Sequence, residues 1–337
     1  MSKEGKKMRV ISQYNKDEYS AGPKAKVDVE QILRDEYGAK CLSLLLPKNP
    51  RTILFKLKKM WFLKKALKTD DLVIIQAPLT KKIGLLNRAK HKIAILHDIN
   101  SLRSDAKNIP EAEIKALNEC DCVIVHNESM AKYLKKNGLK TDYYVLELFD
   151  YLAEKRKDNK HNKKITEPII VYPGNLSRNR TTFIYSLEES KMNFQLKVYG
   201  SGLEKIDNTK ISDNGSFSPD RIVGALDGDL GLVWTGGVIP DVNNVETFYN
   251  QYNTPHKLSC FLAAGLPVIV WDGSAVAEIV KKYDIGYTIS NLYDINKLDF
   301  SDYQQKCKNV EEISDMVRTG YFTKKAISTA LARLKLN

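Results

Sequence analysis

The chain has 337 residues, 43% hydrophobic, 28% charged and 9% aromatic, which excludes a disordered or fibrous protein and, at about 150 residues per domain, calls for two domains. The apolar runs Leu42–Leu46 and Leu266–Trp271 fall short of the roughly 20 residues that span a bilayer, and the opening MSKEGKK lacks a secretory apolar stretch, so we expect a cytoplasmic protein. Lys and Arg outnumber Asp and Glu by 53 to 41, a net charge of +12, which favours polyanionic partners and leaves nucleic acid, anionic lipid and phosphorylated small molecules open. In chain order, Met8–Ser12 is a short apolar run, Gln13–Pro23 a polar loop and Lys24–Tyr37 a helical pattern closed by Gly38. The alternation continues with a strand at Ala39–Leu46, a helix near Arg51–Leu67, strands at Leu72–Gln76 and Lys92–Leu96, a helix at Pro110–Cys120 and a strand at Cys122–His126. Residues 154–164, EKRKDNKHNKK, have almost nothing to bury and predict a solvated linker over 151–165. Beyond it, strands at Pro168–Tyr172, Phe194–Tyr199, Leu230–Thr235, Pro267–Trp271 and Gly286–Ile289 alternate with helices at Thr181–Glu188, Pro219–Ala225, Thr254–Ala264 and Ser274–Tyr283. The predicted class is α/β, with two Rossmann-like halves at 1–150 and 166–310 whose parallel sheets face each other across a cleft.

Ligands of open α/β sheets bind beyond the carboxyl ends of the strands, so the loops after the apolar runs are where chemistry is sought. In Tyr172–Asn179, Gly174 lets the backbone approach a ligand and Arg178 suits a phosphate oxygen pair, against the alternative of a plain turn with an exposed arginine. Tyr199-Gly200-Ser201-Gly202 is half of a dinucleotide fingerprint, or a tight turn. In Asn214–Pro219, Ser218 and Pro219 open a helix, and Phe217 either stacks on a base or packs. Tyr252–Ser259 carries most weight. A helix beginning near Pro255 aims its N–H groups outward, and Lys257 in its first turn opposes the helix dipole and calls for an anion, which suits a diphosphate without a metal.

In the first half, His97, Asp98 and Arg103 follow a buried strand, where such a trio positions or deprotonates a hydroxyl. The alternative is a capping Asp98 and a core histidine. Val125–Glu128 reads as a helix N-cap. Along residues 51–68, Ile53, Leu57, Met60 and Trp61 share one arc, Lys64 and Lys68 interrupt it, and Phe55 and Phe62 lie opposite. We expect a helix packed on its sheet, with a second apolar patch for self-association, over a lipid anchor. Five cysteines, Cys41, Cys120, Cys122, Cys260 and Cys307, include no CxxC pair, so free thiols and no metal are expected. No Walker loop, nucleophile elbow or nucleic-acid recognition pattern is present, and nucleic acid is not an expected partner.

The segments LHDINSLR, IVHNESM, ELFDYL, YPGNLSRN, YGSG, NGSFSP and NTPHKLSCFLAAGLPVIVWDGSAVAEIVKKYDIGYTI together resemble bacterial glycosyltransferases of GT-B architecture. They are most similar to the subgroup that adds glucose to N-acetylglucosamine on serine-rich-repeat adhesins, whose relatives are often called galactofuranosyltransferases. The resemblance implies a second half that binds a UDP-sugar, a first half that receives the acceptor, and terminal helices over 311–337 that cross back to the first half. It places Arg178 and Lys257 on the diphosphate, and Gly174, Asn175, Gly200, Ser216, Phe217, Asn253, Pro255, His256 and Ser259 on the donor. Asn15, Lys16, His97, Asp98 and Arg103 fall to the acceptor, and His97, Asp98, Arg178 and Lys257 to catalysis. One departure stands out: where the larger retaining GT-B group has two glutamates, this chain has Tyr252 and Cys260. The expected activity is transfer of a hexose, glucose first, from UDP-sugar to a GlcNAc-modified serine-rich glycoprotein by a homo-oligomer with no cofactor and at most peripheral membrane contact. The alternatives are a glucosyl or galactofuranosyl transferase for a capsular or lipid-linked glycan, with 51–68 as its anchor, and a non-catalytic sugar-nucleotide-binding partner.

Overall fold

The computed structural model describes residues 8–15, 21–46, 52–66, 72–78, 89–103, 111–156 and 165–336. The predicted acceptor residue Lys16, the side chain of Asn15 and the core of the predicted linker, 157–164, lie outside them. The first elements are β1 (Met8–Asn15), α1 (Ala21–Tyr37), β2 (Lys40–Leu46), α2 (Ile53–Ala66), β3 (Leu72–Ala77), β4 (His91–Leu96) and α3 (Asn100–Arg103). They are followed by α4 (Glu111–Asn118), β5 (Cys122–Val125), α5 (Glu128–Lys136) and β6 (Asp142–Val145). The strands form one parallel sheet in the order β2-β1-β3-β4-β5-β6. β3 and β5 are buried from end to end, as uncharged aliphatic runs require when helices cover both faces. Asn127 caps α5, its Oδ1 accepting from the Met130 N–H.

The second series is β7 (Ile169–Asn175), α6 (Thr182–Ser186), β8 (Gln195–Ser201), β9 (Ile211–Asp213), α7 (Pro219–Ala225) and β10 (Leu230–Val233). It continues with α8 (Val245–Asn250), α9 (His256–Ala263), β11 (Val268–Trp271), α10 (Val276–Tyr283), β12 (Gly286–Ile289) and α11 (Tyr303–Arg318). Its parallel sheet runs β12-β11-β10-β7-β8-β9. Each sheet reverses its build direction once, between β1 and β3 and between β7 and β10, and such switch points open a crevice at the strand ends.

The chain divides into two units. Unit 1 holds β1, Gly22–Glu147 and everything from Gly320 onward; unit 2 holds Leu148–Thr319. Tyr151, where the expected linker begins, is buried together with Leu148, Phe149 and Asp150, and its hydroxyl donates to the Pro219 carbonyl at 2.6 Å. The crossing back begins at Gly320, not at 311, because α11 packs against α9 within unit 2. The last helix, α12 (Tyr321–Arg333), belongs to unit 1, where Lys324 pairs with Glu36 at 3.2 Å. A Cβ on Gly320, which holds φ +81°, would meet Ile32 at 2.8 Å, so this junction takes glycine for both its backbone and its closeness to α1.

All five cysteines are free, and burial pushes the thiols of Cys120 and Cys122 up to about 12, which keeps them unreactive. Among the described residues no His, Cys, Asp and Glu side chains gather as metal ligands, and no helix is long and apolar enough to cross a membrane.

Candidate functional site

In unit 2 the predicted loops assemble side by side. β7 and β8 pair through Gly174 and Gly200, and the Gly200 N–H donates to the Gly215 carbonyl at 2.9 Å, which aligns three glycine-bearing loops at one edge. A Cβ on Gly200 would lie 1.8 Å from the Gly174 carbonyl oxygen, so no side chain fits there. Ser216 and Phe217 sit exposed on the third loop, with Phe217 tilted against Tyr199 at 6.2 Å.

α9 enters this edge from the switch point. It packs tightly on the sheet because β10 carries Gly231, where a Cβ would overlap the Phe261 ring at 2.2 Å. Pro255 takes the N-cap position, no side chain caps the first turn, and the Leu258 N–H donates to the Pro255 carbonyl at 2.9 Å. Lys257, half-buried in that turn, lays its Nζ 3.5 Å from the centroid of the Tyr172 ring. A Cβ on Gly174 would stand 3.5 Å from the same Nζ. Among the described residues no oxygen accepts a hydrogen bond from this ammonium and no carboxylate pairs with it. Desolvation pulls it down to about 7, against the milder opposite pull of Cys260 and Glu246. The result is a cation set on an aromatic face, beside bare backbone, without a counter-ion.

Pro255 also borders a narrow crevice lined by Trp234, Thr235, Thr247, Asn253 and Trp271 among others, whose space of about 10 Å³ has room for about one water. Thr247 Oγ1 and Asn253 Oδ1 are buried without hydrogen-bond partners among the described residues. Such orphaned oxygens cost free energy unless a donor reaches them. Glu246, in the first turn of α8, holds Arg180 in an ion pair. Neither Thr247, Glu246 nor Tyr172 was singled out from sequence; Tyr172 looked like the last residue of a strand, and α8 carries no periodic signal of its own.

Several predicted residues are placed otherwise. Arg178 is 56% exposed, pairs with Glu204 at 2.9 Å and stacks over Tyr185 at 4.2 Å, so its charge is already met locally. Asn175 folds its own loop, accepting from the Ser177 N–H at 2.9 Å and the Ser177 hydroxyl at 2.6 Å. His256 is a packing residue, stacked on Tyr151 at 4.7 Å with Nε2 at 3.2 Å from the Asp150 carbonyl. Ser259 is wholly buried in α9, and its Oγ, like Thr247 Oγ1, has no hydrogen-bond partner among the described residues.

Unit 1 gathers a second cluster at its own switch point. Gln76, at the end of β3, donates through Nε2 to the Lys26 carbonyl at 3.0 Å and approaches Ser12 Oγ at 2.7 Å. A backbone carbonyl only accepts, so the amide's Oε1 faces His97, whose Nε2 lies 2.8 Å away. Neutral His97 therefore carries its proton on Nε2 and its lone pair on Nδ1. Asp98 pairs with Arg103 at 2.6 Å. Lys26 Nζ donates to the Gln13 carbonyl at 2.8 Å, and burial pulls it down to about 8 while Asp98 and Glu30 favour its charge. Sequence reading found His97, Asp98 and Arg103 but missed Gln76 and Lys26, which sit within an apolar strand and a helical pattern. His126 is a core residue: burial pulls it down to about 4, and its Nε2 lies 3.0 Å from the Leu96 carbonyl.

Comparison with known proteins divides the chain near the same first boundary, the C-terminal match running on into α12. The N-terminal domain of the glucosyltransferase 3-like family matches residues 7–148 and its C-terminal domain residues 170–330. The β-1,6-galactofuranosyltransferase WbbI of Escherichia coli K12 is 29% identical over 97% of this chain and 99% of its own. Glucosyltransferase 3 of Streptococcus gordonii is 26% identical over 71% and 70%. Among solved structures, Anabaena Alr3699/HepE in complex with UDP and glucose superposes with a TM-score of 0.61 at 12% identity, over 97% of this chain and 99% of that one. The fold is thus α/β of the GT-B type, and the chain belongs to the glucosyltransferase 3-like family of glycosyltransferases.

Proposed function

We propose that the protein transfers a hexose from a UDP-sugar to a hydroxyl group of a glycan acceptor, with the donor held by unit 2 and the acceptor by unit 1. The observation that carries this reading is Lys257, an ammonium with no anion among the described residues, beside Gly174 and the uncapped turn of α9. A diphosphate supplies the missing charge, and Gly174 leaves room for it. In the reaction the acceptor oxygen bonds to the anomeric carbon, the bond from that carbon to the phosphate oxygen breaks, and UDP leaves with the electron pair. Lys257 and the α9 turn stabilise that developing charge, and the His97 and Asp98 cluster takes the acceptor proton. Because Lys257 supplies the cation, turnover is expected to persist in EDTA.

Glucose as the hexose and a GlcNAc-bearing serine-rich glycoprotein as the acceptor form the finer proposal, supported by the relatives named glucosyltransferase 3. A second reading, galactofuranosyl transfer to a cell-surface glycan, is favoured by WbbI, which aligns over nearly all of both chains. UDP release in EDTA, measured with UDP-glucose, UDP-galactose and UDP-galactofuranose with and without a GlcNAc-bearing serine-rich peptide, separates them. Peptide-dependent release from UDP-glucose supports the first reading. Release from UDP-galactofuranose alone moves the assignment to the second, and UDP binding with silence across the panel supports a non-catalytic role.

A further inference from the structure

The exposed face of α2 has no part in the chemistry above. Phe55 and Phe62 are buried where α2 packs on β2. At about 100° per residue they fall on one side of the helix, and Met60, Ile53, Leu57, Trp61 and Leu54 fall in an arc on the other, with the position of Lys64 between Ile53 and Leu57. Those five are between 52% and 76% exposed. By the same arithmetic Lys56 borders the arc on one side and Lys58 and Lys65 on the other. Lys65 Nζ lies 3.8 Å from the Trp61 ring centroid. The helix carries five lysines, and no acidic residue occurs from Arg51 to Lys68.

We infer that this face is a docking surface for an anionic phospholipid bilayer. Five large apolar side chains in one open arc exceed the scattered exposure of an ordinary soluble surface. An exposed apolar helix side with a tryptophan, and with lysines both within and beside it, is a form that lies in a membrane interface, with apolar groups at the acyl boundary and ammonium groups on lipid phosphates. Charge decides against a second copy of the chain on the same face. Two such helices would bring lysines against lysines with no carboxylate on either to answer them. At a lipid surface a lysine stem lies along the apolar layer while its head reaches the phosphates. The two apolar sides thus divide the work, Phe55 and Phe62 fixing the helix to unit 1 and the outer arc meeting lipid. This placement is independent of which sugar is transferred.

The test is co-sedimentation of the full chain with phosphatidylglycerol–phosphatidylcholine vesicles and with phosphatidylcholine vesicles, for wild type and for Leu57→Glu/Trp61→Glu. Both substituted side chains are exposed, so the double variant is expected to melt at the wild-type temperature and to bind UDP as wild type does. Wild type is expected to bind the anionic vesicles, to bind neutral ones about tenfold more weakly or less, and to be released by salt. The double variant is expected to lose about tenfold or more of the anionic binding. Trp61 is a built-in reporter as the exposed one of the three tryptophans, Trp234 being buried and Trp271 half-buried: its fluorescence should shift to the blue on anionic vesicles, and Trp61→Phe should remove the shift. Vesicle binding that is absent, or equal in wild type and the double variant, overturns the inference. So does a wild-type dimer that ignores vesicles and that the double variant splits into monomers, which assigns the face to self-association. Loss of vesicle binding with UDP binding intact leaves the proposed activity standing.

Discussion

The two units place polar groups at corresponding switch points, yet they prepare them differently. In unit 2 the edge between β7 and β10 is glycine-lined and holds one ammonium with no oxygen to receive it among the described residues. In unit 1 the edge between β1 and β3 is filled: Gln76 links Ser12, the Lys26 carbonyl and His97, and Asp98 already holds Arg103. A site lacking a counter-charge is completed by an anionic ligand. A site whose charges are internally matched holds the orientation of a ring for a neutral one. The difference supports the proposed placement of the charged donor on unit 2 and the hydroxyl acceptor on unit 1, on electrostatic grounds that do not depend on any relative.

Lys257→Ala is the strongest way to break this comparison. It is expected to cut turnover by about 100- to 1000-fold, the usual cost of losing one donor to a developing negative charge, and to weaken UDP binding in calorimetry. Unchanged UDP affinity would end the assignment of the diphosphate to this edge. Its titration sharpens the same point. The folded value of about 7 lies below the unfolded lysine value of roughly 10.4, so the unfolded chain binds more protons between those limits. Ligand-free stability therefore gains from this group as pH rises from about 7 to about 10. UDP binding needs the charged form, so affinity should fall over the same rise and binding near pH 8 should take up a proton. Lys257→Arg, which stays charged, should flatten that dependence.

His97→Ala probes the other edge. Removing the ring that Gln76 holds is expected to lower turnover by about 100-fold, the lower end of general acid–base contributions, with UDP affinity within about twofold of wild type. Measured together with Lys257→Ala, it separates a loss in the chemical step from a loss in donor binding. A change in UDP affinity as large as that of Lys257→Ala would mean the two edges do not divide donor from acceptor.

Most of the sheet strands were legible because buried parallel strands are continuous apolar runs. The two that were missed, β6 and β9, are short outer strands, mostly half-exposed or exposed, whose residues form no apolar run, whereas the outer strand β2 ends in Leu44–Leu46 and was legible. Gly174 and Lys257 were legible because glycine after a strand and lysine in a first helical turn are local oddities. What was not legible depends on contacts far apart in sequence: Tyr172 beneath Lys257, Thr247 lining the crevice, Gln76 beside His97.

Arg178 tests how far a local motif should be trusted over a long-range pair. After a strand and a glycine, an arginine invites a phosphate, but this one reaches Glu204, 26 positions on, and lies over Tyr185. An exposed pair of this kind contributes about 0 to 1 kcal/mol, and swinging the guanidinium to a diphosphate would forfeit both contacts. Arg178→Ala is therefore expected to change UDP affinity and turnover by less than about threefold, far less than Lys257→Ala. A loss of about 100-fold in the same calorimetry and UDP-release measurements would show that the guanidinium leaves Glu204 when donor binds, and would make the diphosphate edge one of two cations rather than one.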